Sequence, residues 1–313
     1  MNEKPEVLVV APLPGFLRTS LEAAYICHDW HAAPDKEALI AEVGARIRGL
    51  VPLGGTVVPV SLLEHLPNLE IVSVMGVGYD GVPIPWCQEQ GVRVTNTPDV
   101  LTDDVADIAV ALVLMTSRRL VESNRHLHEG KWLRGAFPLA HALRGKVAGI
   151  VGLGRIGKAI ALRLEAHGMK IAYYGRAPQN VSYSFMPSLL ELAAGSDYLI
   201  VACPGGPETR HLINADVLTQ LGAEGTLINI ARGSVVDEAA LIAALQAGTI
   251  RTAGLDVFED EPRVPAELLS SQHTVLLPHV GSATHETRRE MGRLVFENLA
   301  AQFAGRDLIT PVC

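Results

Sequence analysis

The sequence predicts an α/β protein made of two units, each built on a doubly wound parallel sheet. Three observations carry this. Short β-rich runs alternate with helical patterns along the chain, as βαβ units require. The alternation stops at one long helical stretch, residues 101–130, and then restarts. The later strands are near-continuous apolar runs, as expected of a parallel sheet covered on both faces. A chain of 313 residues is long enough for two separate cores.

In order, "EVLVVAP" (6–12), "RIRGLVPL" (46–53), "LEIVSVM" (69–75) and "VRVTN" (92–96) read as strands. "APDKEALIAEV" and "VSLLEHLP" lie among them with helical spacing. "LTDDVADIAVALVLMTSRRLVESNRHLHEG" (101–130) reads as one helical stretch. The second set of strands is "KVAGIVGLG" (146–154), "KIAYYG" (170–175), "YLIVAC" (198–203), "TLINIA" (226–231), "TAGLDV" (252–257) and "HTVLLP" (273–278). A last helical pattern, 284–305, has no assigned unit at this level.

Composition narrows the function. Hydrophobic residues make up 48% of the chain, charged residues 19%, and the net charge is −8. That charge argues against a nucleic-acid partner, which requires a basic face. The four cysteines, Cys27, Cys87, Cys203 and Cys313, show no CxxC pair and no metal spacing, so neither a metal nor a disulfide framework is expected. The opening "MNEKPEVLVVAPLPG" lacks the features of a signal peptide, and no long apolar run suggests a membrane span. A cytoplasmic location is the expectation.

The stretch "VAGIVGLGRIGKAIALRLEAHG" holds Gly152, Gly154 and Gly157 in G-x-G-x-x-G spacing, after an apolar strand and at the start of a helix. Gly152 permits the tight turn, Gly154 lets the backbone approach a pyrophosphate, and Gly157 lets helix and strand pack closely. The helix N-terminus offers N–H groups and a positive dipole end to phosphates. An acid about 20 residues further on holds the ribose hydroxyls in NAD-binding examples. Gly175 stands there instead, eighteen residues after Gly157, followed by Arg176. Glycine leaves room for a 2′-phosphate and arginine pairs with one. NADP(H) is therefore the expected cofactor, with NAD(H) second. Gln179 offers a further hydrogen bond.

Three later strand ends carry polar side chains, and ligands gather at such ends in open α/β sheets. Arg232 follows "NIA", Asp256 and Glu261 follow "AGL", and His279 follows "LLP". An arginine can hold the carboxylate of a 2-oxo acid and polarise its ketone. A histidine can protonate the ketone oxygen as hydride arrives at carbon. A carboxylate beside that histidine favours its charged form and orients its ring. Bland roles stand beside these: Arg232 as a strand-end cap, Glu261 as a solvated loop acid, His279 as a structural histidine. Spacing does not choose Glu261 over Asp256, Glu259 or Asp260.

At these residues the chain resembles the D-isomer-specific 2-hydroxyacid dehydrogenases, and among them the glyoxylate/hydroxypyruvate reductases. The likeness rests on "GVGYD" (76–80), "TPDVLTDDVAD" (97–107), "VGLGRIGKAIALRL" (151–164), "INIARGSVVDEAAL" (228–241), "AGLDVFEDEP" (253–262) and "LPHVGSATHETR" (277–288). It implies two Rossmann-like domains with the active site in the cleft between them. A substrate domain would span 1–96, completed by 285–313, and a dinucleotide-binding domain 97–284.

Carried over, the pattern makes Arg232 the substrate-binding arginine and Glu261 the partner of the acid/base His279. The backbone N–H groups of Val77 and Gly78 would cradle the substrate carboxylate. Thr102, Arg155, Ile156, Cys203, Pro204, Thr209, Ile230, Ala231, Asp256 and Ser282 would border the cofactor, with Asp256 on the nicotinamide carboxamide. A homodimer joined through 101–145 is also implied. Departures are Gly205-Gly206, where many relatives have a leucine-containing turn, and Gly76 and Gly81 on the substrate side. The expected reaction is NADPH-dependent reduction of glyoxylate or hydroxypyruvate. The alternatives are an aromatic 2-oxo acid such as hydroxyphenylpyruvate, or a nucleotide-sensing corepressor-like protein.

Overall fold

The computed structural model describes residues 4–313; the first three residues of the expected N-terminal unit lie outside the described residues. The chain divides into two compact units, Met1–Leu101 with Ala283–Cys313, and Thr102–Ser282. The sequence reading placed the divisions at 96/97 and 284/285.

The first unit holds strands β1 (Glu6–Val9), β2 (Ile26–Asp29), β3 (Ile47–Val51), β4 (Ile71–Ser73) and β5 (Arg93–Thr95) in the order β2-β1-β3-β4-β5. All its strand pairs are parallel. Leu8, Leu50, Val72 and Val94 are fully buried in one core, which explains why these strands read as apolar runs. The helix His285–Phe303 belongs to this unit, an assignment that the sequence left open. Its Asn298, fully buried, donates to Leu294 O and Thr310 Oγ1 and accepts from the N–H groups of Ile309 and Thr310. Those bonds turn the tail back so that Val312 N donates to Val94 O on β5.

The second unit holds β6 (Val147–Val151), β7 (Lys170–Tyr174), β8 (Ser184–Phe185), β9 (Tyr198–Val201), β10 (Thr226–Asn229), β11 (Thr252–Leu255) and β12 (Thr274–Leu276). Their order is β12-β11-β10-β9-β6-β7-β8, again all parallel. The strand order reverses between β6 and β9, the switch point where such sheets take ligands. The helix Thr102–Arg118 packs on the helix Arg155–Ala166, and Arg163 pairs with Asp103 at 2.9 Å and Asp107 at 2.6 Å across them.

Three sequence expectations need correction. The 101–130 stretch is two helices, Thr102–Arg118 and Leu120–His128, broken at Arg119, whose φ is 52°. A left-handed residue cannot continue a right-handed helix. Strands β2 and β8 were not anticipated. Both are edge strands with little apolar sequence, "ICHD" and "SF".

Candidate active site

Strand β10 ends in a turn set by Asn229, which is 1% exposed. Its side chain accepts from Ala231 N and donates to Arg232 O, both at 3.0 Å. Arg232 follows, half-buried, with a guanidinium N–H donating to Ala231 O. Gly233 comes next. A Cβ there would lie 1.8 Å from the Phe258 carbonyl carbon, so only glycine lets this turn back onto the loop after β11.

That loop carries all four candidate acids, and the structure separates them. Asp260 pairs with Arg263. Glu259 accepts from Arg210 and lies 2.8 Å from His211 Nε2. Asp256 is 1% exposed and accepts from Val280 N and Gly281 N, each at 2.8 Å. Glu261 accepts from Phe258 N at 3.0 Å and sits 2.7 Å from His279 Nδ1. Nε2 is then the ring nitrogen left for other chemistry.

His279 itself has φ 53°, an unusual value for a residue with a Cβ, and its N–H donates to Asp256 O. Three successive N–H groups, those of 279, 280 and 281, thus end on Asp256. This bracing was missed in the sequence, where Asp256 was read for its side chain's reach toward cofactor. The signal available was an acid closing an apolar strand.

Burial pushes the Glu261 carboxyl upward. The His279 hydrogen bond, the Phe258 N–H and the charges of His279 and Arg232 outweigh it and hold the carboxyl below its ordinary value. Burial raises Asp256 despite its two N–H donors. The pair His279–Glu261 stays partly open, with side chains 42% and 34% exposed.

On the other side of the sheet's switch point lies the glycine turn. Gly152 has φ 95°, and a Cβ there would meet Cys203 Cα at 2.7 Å. At Gly157 a Cβ would meet Gly152 O at 2.2 Å, whereas at Gly154 it would meet nothing within 4 Å. The first and third glycines therefore close the turn, and the second leaves open space before the helix Arg155–Ala166. No side chain caps that helix start, so its N–H groups are available to an anion. Arg155 is exposed and Ile156 half-buried at this end.

After β7, a Cβ on Gly175 would meet nothing within 4 Å, and Arg176 is exposed. Gln179 donates its side-chain amide to Leu153 O at 2.9 Å, which ties this loop to the glycine turn. Across from Gly152, burial pushes the Cys203 thiol up to about 11. Pro204 accepts from the Thr209 hydroxyl at 2.7 Å, and Gly206 has φ 137°. The glycine at 206 therefore serves backbone conformation. Ile230 and Ala231 are buried beside β10, Thr102 begins its helix, and Ser282 is half-buried after the His279 loop.

In the first unit, Val77 and Gly78 are half-buried in the turn after β4, held by Asn96 donating to Val77 O at 2.8 Å. The glycines flanking them have packing reasons. A Cβ on Gly76 would meet Gly54 Cα at 2.7 Å, and one on Gly81 would meet Thr56 O at 2.2 Å.

A family model, the D-isomer specific 2-hydroxyacid dehydrogenase NAD binding domain, matches residues 110–281. The chain belongs to the D-isomer-specific 2-hydroxyacid dehydrogenase family. This family of oxidoreductases includes a glyoxylate/hydroxypyruvate reductase A of Arabidopsis thaliana, 47% identical over 98% of each chain. A hydroxyphenylpyruvate reductase of Plectranthus scutellarioides is 46% identical, again over 98% of each. Among solved structures, an NADPH-dependent glyoxylate/hydroxypyruvate reductase from Sinorhizobium meliloti, in complex with NADP and malonate, superposes with a TM-score of 0.92. It is 44% identical, with 99% of this chain and 97% of that one covered. The two-unit parallel architecture of this dehydrogenase agrees with that likeness.

Proposed function

We propose that the protein reduces a small 2-oxo acid, glyoxylate or hydroxypyruvate, to glycolate or the D-2-hydroxy acid, using NADPH. The observation that carries this is the 2.7 Å contact between His279 Nδ1 and Glu261 Oε2 on a loop braced by Asp256. A nicotinamide cofactor supplies the hydride. Gly152, Gly154, Arg155, Ile156 and Gly157 hold its pyrophosphate, and the open space at Gly154 fits that role. Gly175 and Arg176 receive the 2′-phosphate, Cys203, Pro204 and Thr209 border the adenine, and Thr102, Ile230, Ala231, Asp256 and Ser282 the nicotinamide side.

The chain's own residues do the rest. Arg232 holds the substrate carboxylate and polarises the ketone, and the Val77 and Gly78 N–H groups of the first unit are donors of the kind a carboxylate takes. His279 gives its Nε2 proton to the ketone oxygen. Glu261 holds Nδ1, so the ring presents Nε2. Consumption of NADPH and NADH with glyoxylate, hydroxypyruvate and hydroxyphenylpyruvate tests this reading. No turnover with any 2-oxo acid would return the chain to a nucleotide-sensing role. Faster turnover of hydroxyphenylpyruvate would transfer it to the aromatic class, for which the 46% identical relative speaks.

We also propose a homodimer in the cytoplasm. Trp132, Leu133 and Leu139 are 67%, 94% and 98% exposed, an apolar group that a second copy would cover. Among the described residues no helix is long and apolar enough to cross a membrane. A fluorescent fusion found in an organelle would overturn the location.

A further inference from the structure

Among the described residues, two histidines of the second unit have left-handed backbone, and each meets a glutamate of one loop. His279 has φ 53° and lies 2.7 Å from Glu261. His211 has φ 50°, and its Nε2 lies 2.8 Å from Glu259 Oε1. A residue with a Cβ seldom adopts this conformation, so the fold around it must hold it there. At His211 the hold is visible. Its N–H donates to Ser234 O at 2.8 Å, Ile213 N donates to Val235 O at 3.0 Å, and Asp237 N donates to Ile213 O at 3.0 Å. The segment after β9 is thereby laced to the segment after β10, and the His211 ring starts from a fixed base. An ionised carboxylate only accepts, so Nε2 is the donor of its contact with Glu259.

Glu259 belongs to the turn that carries Glu261, with Asp260 alone between them. Phe258 N closes this turn on Glu261 Oε1 at 3.0 Å. Glu259 N donates to Glu238 Oε1 at 3.3 Å, in the first turn of the helix Glu238–Ala247. The surroundings are acidic. Burial raises the Glu238 carboxyl, the Glu259 N–H opposes that, and the negative charges of Glu259 and Asp260 raise it further. Like charges repel, so the turn needs the Glu259 carboxylate held from its other side. Arg210 at 2.9 Å and His211 at 2.8 Å hold it there. The Arg210 side chain is 59% exposed and that of His211 36%, and exposed ion pairs hold little. The histidine contact is the more sheltered of the two, and its backbone is bonded on both sides.

We propose that His211 is a positioning residue of the reaction: through Glu259 it fixes the turn Phe258–Glu261 and so sets Glu261 against His279. This rests on the reductase reading above. Every residue in the chain of contacts lies within the second unit, Thr102–Ser282. His211 touches no reacting atom in this role. Its Nε2 is spent on Glu259, so it is not a second proton donor, and it acts on the reaction only through where Glu261 stands.

The test measures kcat and KM with NADPH and glyoxylate in wild type, His211→Leu and His211→Gln, each alone and combined with Glu261→Gln. Hydrogen exchange of the Phe258 and Glu259 amides is read beside it, and thermal melting checks folding. His211→Leu should lower kcat about tenfold, the size of a lost hydrogen bond to a charged group, with both KM values little changed. Glutamine puts a donor where Nε2 stood, so His211→Gln should restore most of the loss. On the Glu261→Gln background His211→Leu should cost little, because the residue it acts through is gone. The Phe258 and Glu259 amides should exchange about tenfold faster in His211→Leu, while those of Val280 and Gly281 stay as they were. Glu259→Ala breaks the contact from the other side and carries the same expectations should His211→Leu not fold. Equal losses with and without Glu261, a rise in KM for NADPH at unchanged kcat, or unchanged exchange each overturn the proposal. If the wild type reduces no 2-oxo acid, the reductase reading fails, and exchange alone decides whether His211 positions Glu261.

Discussion

At the scale of single residues, the four acids of "DVFEDEP" show how partners assign roles. Asp260 is spent on Arg263, Glu259 on Arg210 and His211, Asp256 on two backbone N–H groups, and Glu261 meets His279. Chemically these side chains are near equivalents, so only their neighbours distinguish them. His279→Ala should lower kcat by about a hundredfold or more, the loss of a positioned proton donor, with little change in cofactor affinity. Ketone reduction should be optimal at lower pH than hydroxy-acid oxidation, since one needs the charged ring and the other the neutral ring. Glu261→Gln should lower the whole pH–rate profile for reduction, because the ring loses the carboxylate that holds Nδ1. Identical profiles for wild type and Glu261→Gln would remove Glu261 from the mechanism. Glu261 also carries a stability consequence. Its carboxyl is held below its ordinary value in the fold, so its contribution is present above the ordinary carboxylate range and is lost as pH falls through the lowered value.

Gly175 and Arg176 belong to this scale too. Arg176→Ala should cut kcat/KM with NADPH by about tenfold, toward the low end for a charged hydrogen bond at an exposed site. NADH should be nearly unaffected, and high salt should narrow the wild-type preference. Gly175→Asp should go further, because it adds repulsion against the phosphate and an acceptor for a free ribose. Equal or better use of NADH by the wild type would sink the NADP reading and leave the dehydrogenase family standing.

At the scale of elements, the loop after β12 depends on the strand beside it. Asp256, at the end of β11, takes the N–H groups of Val280 and Gly281 and offers its carbonyl to His279 N. In Asp256→Asn the amide nitrogen faces one of those donors, leaving a buried N–H unsatisfied. Urea unfolding should report a loss of about 1–3 kcal/mol, and kcat should fall because the His279 loop loosens. Wild-type stability in that variant would mean the brace is dispensable. Elements were legible where periodicity was strong: the ten apolar strands read from the sequence all appear, whereas β2 and β8 do not advertise themselves. Each pairs along only one edge, so neither needs an apolar run. The break at Arg119 was hidden because helical periodicity continues on both sides of it.

For the whole molecule, the exposed apolar residues of 132–139 bear on assembly. Sedimentation velocity should find a dimer for the wild type and a monomer for the double variant Leu133→Asp, Leu139→Asp, since burying two new carboxylates in an interface is strongly unfavourable. A monomeric wild type would withdraw the dimer proposal.

By itself the sequence determined two parallel α/β units, the glycine turn with its strand and helix, and Arg232 and His279 as candidates at strand ends, while Glu261 stood out from three neighbouring acids only through the family resemblance. Such features are local: they follow from spacing along a few consecutive residues. Tertiary structure alone decided that the last helix belongs to the first unit, that Asp256 braces the His279 loop, and that Gly233 must be glycine against Phe258. It also brought Ser73 to Val295 O, more than two hundred residues away in sequence. Contacts of that kind depend on how sheets order their strands and where helices cross them, and no local period records either.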